Sequence, residues 1–345
     1  LAIASLVIRF LLVGQRDRAA RRWNGVIAAL TITFLVIRPM NLRPHLVDYL
    51  FICLFLYVLE LRPGAAMLLP PLAVLWCNLH GVAYPILLLL CGAYGAEYLV
   101  NRARSSASGG PRDTQRFFVL LTLAMAAIYL TPHGFGLLEV PFRAGAYLSR
   151  VIAEMTPVRP EQFLSFMIVE GIPTVDSVFV LILVCSLLAA VASVMRRTIR
   201  ISHAVLYLGG CVLLFRYQRF ASDWLLLALP LLRANPVRLG CRRPPELPRW
   251  SIWVVAGLLM IMPVRLLRGI LSSKAAYPLS LRGLPQGVIT FLQHIDARGR
   301  ILNPANTGGY WRWMLYPQCT ILMNLDFMFR TEDFYNALTM FADEH

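Results

Sequence analysis

The feature that most constrains this chain is the segment between Ala73 and Asn101, in which two apolar runs meet at a short polar hinge, WCNLHG at 76–81. A helix needs about 20 apolar residues to cross the core of a bilayer. The segment therefore predicts two membrane-spanning helices joined by a polar turn. Trp76 is expected in the interfacial belt, and Asn78 and His80 are expected to have partners or to face water.

The composition favours the same interpretation. Hydrophobic residues make up 58% of the chain and charged residues 15%, against about 45–50% and about 25% in soluble globular proteins. The net charge of +15 could suggest a nucleic-acid partner. The arginines, however, cluster in short loops between apolar runs, as the positive-inside bias requires, and not on a basic, aromatic-rich surface. The sequence thus predicts a bilayer as partner and no nucleic acid.

Apolar runs recur along the chain, at about 1–14, 25–38, 47–60, 66–79, 82–100, 117–131, 174–194, 202–215, 222–233 and 250–267. The predicted fold class is an all-α polytopic membrane protein of about ten transmembrane helices with a small C-terminal α/β domain. Ten crossings place the arginine-rich loops on the cytoplasmic side. The long loop 132–173, expected to contain surface-lying helices, and the C-terminal part then face outward.

We divide the chain into a transmembrane helical domain over 1–269 and an extracytoplasmic α/β domain over 270–345. In the second domain the pattern predicts a helix over 285–294, a strand at 300–302, a helix over 310–315, a strand at 320–325 and a helix after Thr331. Since Leu1 lies inside an apolar run and His345 inside a predicted helix, the chain is expected to be part of a longer protein.

Polar residues gather at the predicted outward ends of the helices. Arginines there suit a phosphate, because a guanidinium is always charged and binds two oxygens at once. A lone carboxylate can serve as the base in glycosyl transfer, and Glu154 is the candidate because apolar residues flank it. The candidate substrate-binding and catalytic residues are Arg43, His45, Asn78, His80, Glu154, Arg216, Arg219, Gly308 and Gly309.

Each candidate also has a structural alternative. Asn78 and His80 could satisfy backbone groups at a helix break, and Arg43 and Arg219 could reach along the interface to water. Asp48 is more simply a counter-ion to an arginine than a base. The Gly308–Gly309 pair could bind an anion at a helix start or form a tight turn.

The sequence assigns no cofactor and leaves a divalent metal ion open. No Walker, dinucleotide-binding, HExxH or GxSxG motif stands in a suitable context. The seven cysteines have no metal-ligand or disulfide spacing, and we interpret them as small core side chains.

Taken together, several segments resemble bacterial GT-C glycosyltransferases of the dolichyl-phosphate-mannose protein mannosyltransferase-like group. The matching segments are Arg43-Pro44, LWCNLHG at 75–81, YLTPHGFGLL at 129–138, IAEMTP at 152–157, Arg219 and NTGGYWRWMLYP at 306–317. The resemblance covers about residues 40–345. It implies an inverting transferase of the bacterial inner membrane that takes a sugar from a polyprenyl-phosphate donor on the periplasmic side. Arg43, His80 and Arg219 would then hold the lipid phosphate.

The chain departs from that family pattern at several positions. The family's catalytic acidic residue lies in a loop that would precede Leu1, Thr131 stands where asparagine is usual, and Met155 where tryptophan is usual. The strand at 320–326, which in the family often ends in an acidic residue and an arginine, ends here in Asn324-Leu325-Asp326. These departures favour a second hypothesis, a non-catalytic GT-C-like subunit that binds other membrane subunits.

Overall fold

A computed structural model of the protein describes residues 2–37, 45–104, 112–139, 156–158, 168–169, 172–173, 175–236, 264, 268, 284–304 and 307–322. The chain divides into two compact units. The first comprises Leu1–Leu137 and Ile152–Arg265, and the second Leu138–Val151 and Leu266–His345. The division at 269/270 stays a prediction.

The described part of the first unit is almost entirely helical. Two-residue strands β1 (Ile168–Val169) and β2 (Ile172–Pro173) pair antiparallel within the predicted outward loop. The same loop begins with a 3-10 helix over Gly134–Glu139, and most of the rest of the segment in which surface helices were expected falls outside the described residues. The described α-helices of the first unit are α1 (Ala2–Leu12), α2 (Arg18–Ile37), α3 (His45–Leu61), α4 (Leu69–Leu79), α5 (Tyr84–Arg104), α6 (Arg112–Ala126), α7 (Val175–Met195), α8 (Ile201–Arg216) and α9 (Ala221–Ala234).

Helix α9 forms the centre of the first unit. Every residue from Ala221 to Leu232 is buried, and the helix packs against α2, α3, α7 and α8. A helix that is apolar on all sides is buried either in lipid or in protein. Here the surrounding atoms are those of neighbouring helices, so the apolar run at 222–233 is a core helix.

The prediction of about ten transmembrane helices is wrong. Within the described residues, two helices are long and apolar enough to cross a bilayer, Gly81–Arg104 and Asp176–Met195. The other described apolar helices have 10–17 residues, as in Ala2–Leu12 and Ile201–Arg216, or carry charges, as α2 does. The physical reason is that turns and prolines break the apolar runs. The run before the hinge, for example, is a 3-10 helix over Pro63–Leu68 followed by the 11-residue α4, which has proline in its first turn.

The predicted location in the inner membrane, as a multi-pass protein with a periplasmic C-terminal domain, is wrong for the same reason. It required each loop between apolar runs to change sides, and two candidate spans cannot supply those crossings. Arg200 illustrates the error. It lies between the apolar runs at 174–194 and 202–215, in a loop that the topology places on the cytoplasmic side, but it forms ion pairs with Glu60 and Glu97.

The second unit contains the predicted strand–helix–strand order. Helix α10 (Gln286–His294) precedes β3 (Gly299–Ile301), α11 (Gly308–Leu315) and β4 (Cys319–Ile321). Strands β3 and β4 are parallel, with Arg300 opposite Thr320, and α11 connects them. A small core of Ile289, Trp311, Leu315 and Cys319 holds the helices against the strands. The helix predicted after Thr331 lies outside the described residues.

Candidate functional site

The first turn of α3 carries two of the polar residues that gather in the first unit. His45 and Asp48 are three residues apart, so both lie on one face of the helix. A carboxylate is favoured in a first turn by the helix dipole. Asp48 is nevertheless only 4% exposed, and a buried carboxylate needs hydrogen-bond partners.

The end of α4 supplies those partners. Trp76 Nε1 donates to Asp48 Oδ1 at 2.8 Å. His80, which ends α4, places its Nδ1 2.7 Å from Asp48 Oδ2. Trp76 and His80 are one helical turn apart, so a single helix end binds both oxygens of the carboxylate. The chain therefore does turn at the predicted hinge, 76–81, and the side chains of Trp76 and His80 in it face α3.

The structure corrects the prediction for Trp76. Its ring is 1% exposed, so it is not an interfacial belt residue. It stacks on Phe51 with 5.6 Å between the ring centroids and 8° between the planes, and it contacts Phe55 at 5.7 Å. Asp48, Phe51 and Phe55 are spaced three and four residues apart on α3, so one face of that helix receives the whole indole.

Arg219 joins this cluster from the 3-10 turn between α8 and α9. Its Nη2 lies 3.3 Å from His45 Nδ1, which accepts because a guanidinium can only donate. The rings of His45 and His80 are 5.3 Å apart, centroid to centroid. We call His45, Asp48, Trp76, His80 and Arg219 the Asp48 site.

The remaining sequence candidates are placed differently. Arg216 is exposed at the end of α8, with its guanidinium 5.5 Å from the centroid of the Tyr217 ring. Arg43 and Glu154 lie outside the described residues. Thr156, two positions after Glu154, accepts hydrogen bonds from the backbone N–H of Gln218 at 3.0 Å and from its side-chain amide at 3.2 Å. The end of the IAEMTP segment is thus tied to the residue before Arg219.

Asn78 satisfies backbone carbonyl groups, which was the structural alternative to its binding a ligand. Its side-chain amide donates to the carbonyl of Val74 at 2.8 Å and to that of Leu130 at 2.9 Å. In the same region, a Cβ on Gly81 would lie 2.9 Å from Leu137 Cδ1. The segments LWCNLHG and YLTPHGFGLL therefore pack directly on each other.

Gly308 and Gly309 begin α11 in the second unit. Thr307, directly before them, accepts a hydrogen bond from Trp311 Nε1 at 3.1 Å, which fixes the start of this helix. A Cβ on Gly309 would meet no atom within 4 Å. An anion-binding role for the pair stays a prediction.

Sequence analysis missed the central place of Asp48, which we had interpreted as a counter-ion to an arginine. The signal was present as the Asp48, Phe51, Phe55 spacing on α3 and the Trp76, His80 spacing on α4. Neither spacing says that the two faces meet.

His45, Asp48 and His80 could also hold a metal ion, since one ligand atom of each lies within 4.8 Å of the others.

A second charged cluster, also missed, lies at the other end of α3. Arg200 binds both oxygens of Glu60 at 3.0 Å and both oxygens of Glu97 at 2.9 and 3.1 Å. Tyr94 donates to Glu60 at 2.7 Å, and His203 Nε2 lies 3.1 Å from it. Burial raises the pKa of Glu60, but these hydrogen bonds and the charges of His203 and Arg200 outweigh it and lower the pKa to about 2.

A cavity of about 570 Å³ borders this second cluster, with Tyr94, Glu97, Arg116 and Arg200 in its wall. Arg116 donates to the sulfur of Met67 at 2.8 Å. Along the α3 axis, Glu60 and Asp48 are about 18 Å apart at 1.5 Å per residue. The two clusters are therefore separate sites.

Comparison with known proteins adds no assignment, since no protein-family model and no curated protein matches the chain.

Proposed function

We propose that the protein transfers a sugar from a polyprenyl-phosphate-linked donor, and that the Asp48 site binds the donor's phosphate. The observation that carries the proposal is the position of Arg219 beside His45, whose ring in turn contacts that of His80. Three segments far apart in the chain thus bring a permanent cation and two imidazoles together. His45, His80 and Arg219 are all partly exposed, so a ligand can reach them.

The chemistry required is stabilisation of a leaving phosphate. In inverting transfer, an acceptor oxygen attacks the anomeric carbon, the bond from that carbon to the phosphate oxygen breaks, and its electron pair stays on the phosphate. Arg219 can bind two phosphate oxygens, and a histidine N–H can donate to a third. Donors aimed at the developing charge lower the barrier most effectively when they are held in place, as Asp48 holds His80.

The acceptor's proton needs a base, which takes it as the new bond forms. Glu154 remains the sequence candidate for that role. The hydrogen bonds of Gln218 to Thr156 support it, because they tie the residue before Arg219 to the segment that contains Glu154.

One observation favours the alternative, a non-catalytic subunit. Trp76, Asn78 and Gly81, which carry part of the family resemblance, all make packing contacts within the fold. A scaffold would need the same contacts without any chemistry. The contacts of Trp76 and Asn78 are the same under both hypotheses, because neither involves a phosphate. The hypotheses differ at Arg219, which binds the phosphate only if the protein is a transferase.

The test is equilibrium binding of a short-chain polyprenyl phosphate to the purified full chain, together with sugar release from radiolabelled polyprenyl-phosphate mannose and glucose. Arg219→Gln should weaken binding by about 10-fold or more, because a charge-assisted hydrogen bond contributes about 1.5–3 kcal/mol. Arg196→Gln, which changes an exposed arginine just after α7, is the matched control and should bind as the wild type does. Equal affinities for wild type and Arg219→Gln would overturn the proposal and leave the scaffold hypothesis.

A further inference from the structure

We infer that His45, Asp48 and His80 bind a single divalent transition-metal ion of the zinc class. The ion itself follows from these three side chains alone. Its role, holding the donor phosphate together with Arg219, rests on the proposed function.

The separations of the ligand atoms suit such an ion. Asp48 Oδ2 lies 2.7 Å from His80 Nδ1 and 3.8 Å from His45 Nδ1. With metal–ligand bonds of about 2.0–2.1 Å, the ligand atoms of a tetrahedral site are about 3.3 Å apart. These two separations lie on either side of that value, and all three ligand atoms lie within 4.8 Å of one another, so rotations of the two histidine side chains would bring the three separations to it.

The ligand types select the class of ion. Two imidazole nitrogens and one carboxylate oxygen suit zinc, cobalt, iron or manganese, whereas calcium and magnesium prefer oxygen ligands throughout. The described residues supply three ligands, which leaves at least one coordination position for a further ligand. That is the arrangement of catalytic zinc sites and not of closed structural ones.

The surroundings of Asp48 are those of a metal-binding carboxylate. Trp76 Nε1 holds Oδ1 at 2.8 Å, which leaves Oδ2 directed at the two histidines. Partners of this kind fix the orientation of a metal ligand. The stack of Trp76 on Phe51 holds the donor itself in place. The ligands therefore stand on two helices whose packing is determined before any ion binds.

Charge determines what fills the open position. An ion of charge +2 beside one carboxylate and one arginine leaves the site with a net positive charge of about two units. Such a charge in a partly buried site favours an anion. Arg219 donates to His45 Nδ1 at 3.3 Å, and the same nitrogen binds the ion, so an N–H of Arg219 is released when the ion binds. Its guanidinium can therefore donate to the same phosphate that the ion binds.

The test is a titration of the chelator-treated full chain with Co²⁺, followed by visible absorption, and with Zn²⁺, followed by calorimetry. We expect one ion per chain, with Zn²⁺ displacing Co²⁺. His45→Gln, His80→Gln and Asp48→Asn should each weaken Zn²⁺ binding by at least about 10-fold. His294→Gln, which removes an exposed histidine of the second unit, should leave it unchanged.

Trp76→Phe keeps the aromatic stack but removes the donor to Asp48, so it tests the site even if Asp48→Asn does not fold. Loss of such a partner typically costs about 10–100-fold in metal affinity. Wild-type protein that binds no stoichiometric ion would overturn the inference. So would Zn²⁺ binding that His80→Gln and His294→Gln weaken equally, since the ion would then sit on surface histidines.

Arg219→Gln separates this inference from the proposed function. It should leave the Co²⁺ spectrum unchanged while weakening polyprenyl phosphate binding. Stoichiometric Zn²⁺ without polyprenyl phosphate binding would support the metal site and contradict the transferase. Polyprenyl phosphate binding that depends on Arg219 but occurs without any ion would contradict the metal site and leave the proposed function standing.

Discussion

At the scale of single residues, the described structure separates side chains that make packing contacts within the fold from side chains that remain candidates for ligand binding. Asn78 and Trp76 both stood in the hinge as candidates for an interface or a ligand site. Trp76 is buried against Phe51, and the side-chain amide of Asn78 bonds to two backbone carbonyls. His80, in the same hinge, is partly exposed and contacts Asp48 and His45. Neighbours in sequence therefore have different roles because successive helical positions face different elements.

The role of Asn78 can be tested by comparing Asn78→Ala with Asn78→Asp. Alanine removes two hydrogen bonds and should lower the free energy of unfolding by about 1–2 kcal/mol. Aspartate keeps the shape but cannot donate, and it sets a negative charge against two carbonyl oxygens, so it should destabilise at least as much. Chemical unfolding of both variants measures this. An Asn78→Asp protein as stable as wild type would show that the two hydrogen bonds contribute nothing.

At the scale of secondary-structure elements, α3 connects the two polar clusters of the first unit. Its first turn carries His45 and Asp48, and Glu60 lies in its last turn. The cluster around Glu60 cross-links α3 to α5 and to the start of α8 through Arg200, Tyr94 and His203. These ion pairs, in which the Glu60 side chain is 6% exposed and the Arg200 side chain 44%, constrain how three helices pack. The opposite end of α3 carries the proposed ligand site.

Glu60 should make the free energy of unfolding depend on pH below about 4.5. Its side chain is 6% exposed and its pKa is lowered from 4.5 to about 2. A carboxyl group with a lowered pKa stabilises the fold fully above about 4.5, and this contribution is lost as the pH falls towards 2. The loss should amount to about 3 kcal/mol, at 1.36 kcal/mol per pH unit.

Urea unfolding of wild type and Glu60→Gln between pH 2 and 7 measures this contribution. The variant should be less stable at pH 7 and should show a weaker dependence below 4.5. Asp296→Asn, in an ion pair whose side chains are 74% and 60% exposed, is the control and should change little. Parallel pH profiles of wild type and Glu60→Gln would contradict the role assigned to Glu60.

At the scale of the whole molecule, the exposed apolar surface is the feature to explain. On α7 it comprises Leu181, Val184, Leu187, Leu188, Val191, Val194 and Met195, each at least 39% exposed. A helix of 20 residues is about 30 Å long, the thickness of the hydrocarbon core. The proposed lipid-linked donor would have to be taken from a bilayer, so we propose that this face of α7 contacts lipid.

The lipid contact predicts that the protein floats with liposomes in a density gradient. Lysine at both Leu187 and Val191, one turn apart on the exposed face, should reduce flotation strongly. Lysine at both Val288 and Phe291, equally exposed in the second unit, should not. Equal flotation of the two double variants would exclude α7 as the lipid-binding face.

Much of the helical structure could be predicted from the sequence. The apolar runs at 47–60, 82–100, 174–194, 202–215 and 222–233 correspond to α3, α5, α7, α8 and α9 within a few residues. What surrounds each run could not be predicted, because an apolar pattern requires apolar neighbours without saying whether they are lipid or protein. Helix α9 shows this most clearly, since its neighbours are four other helices.

Three of the five residues of the Asp48 site were among the predicted candidates, but Asp48, Trp76 and the geometry of the site were not predicted. His45, His80 and Arg219 were expected at one end of the helices, and the structure brings them together. Asp48 is their common partner only because the end of α4 packs on the first turn of α3. That contact depends on the fit of Trp76 between Phe51 and Phe55, a tertiary packing that no spacing along one helix specifies.

The most direct test of the central claim is where a polyprenyl phosphate binds. A photoreactive group on the isoprene unit next to the phosphate would be crosslinked to the full chain, and the labelled peptides identified by mass spectrometry. We predict labelling around the Asp48 site, within 45–48, 76–80 and 218–220, with less label in Arg219→Gln. Label concentrated in 63–67 and 94–101 would contradict the account, because it would place the phosphate in the cavity beside Arg116 and Arg200.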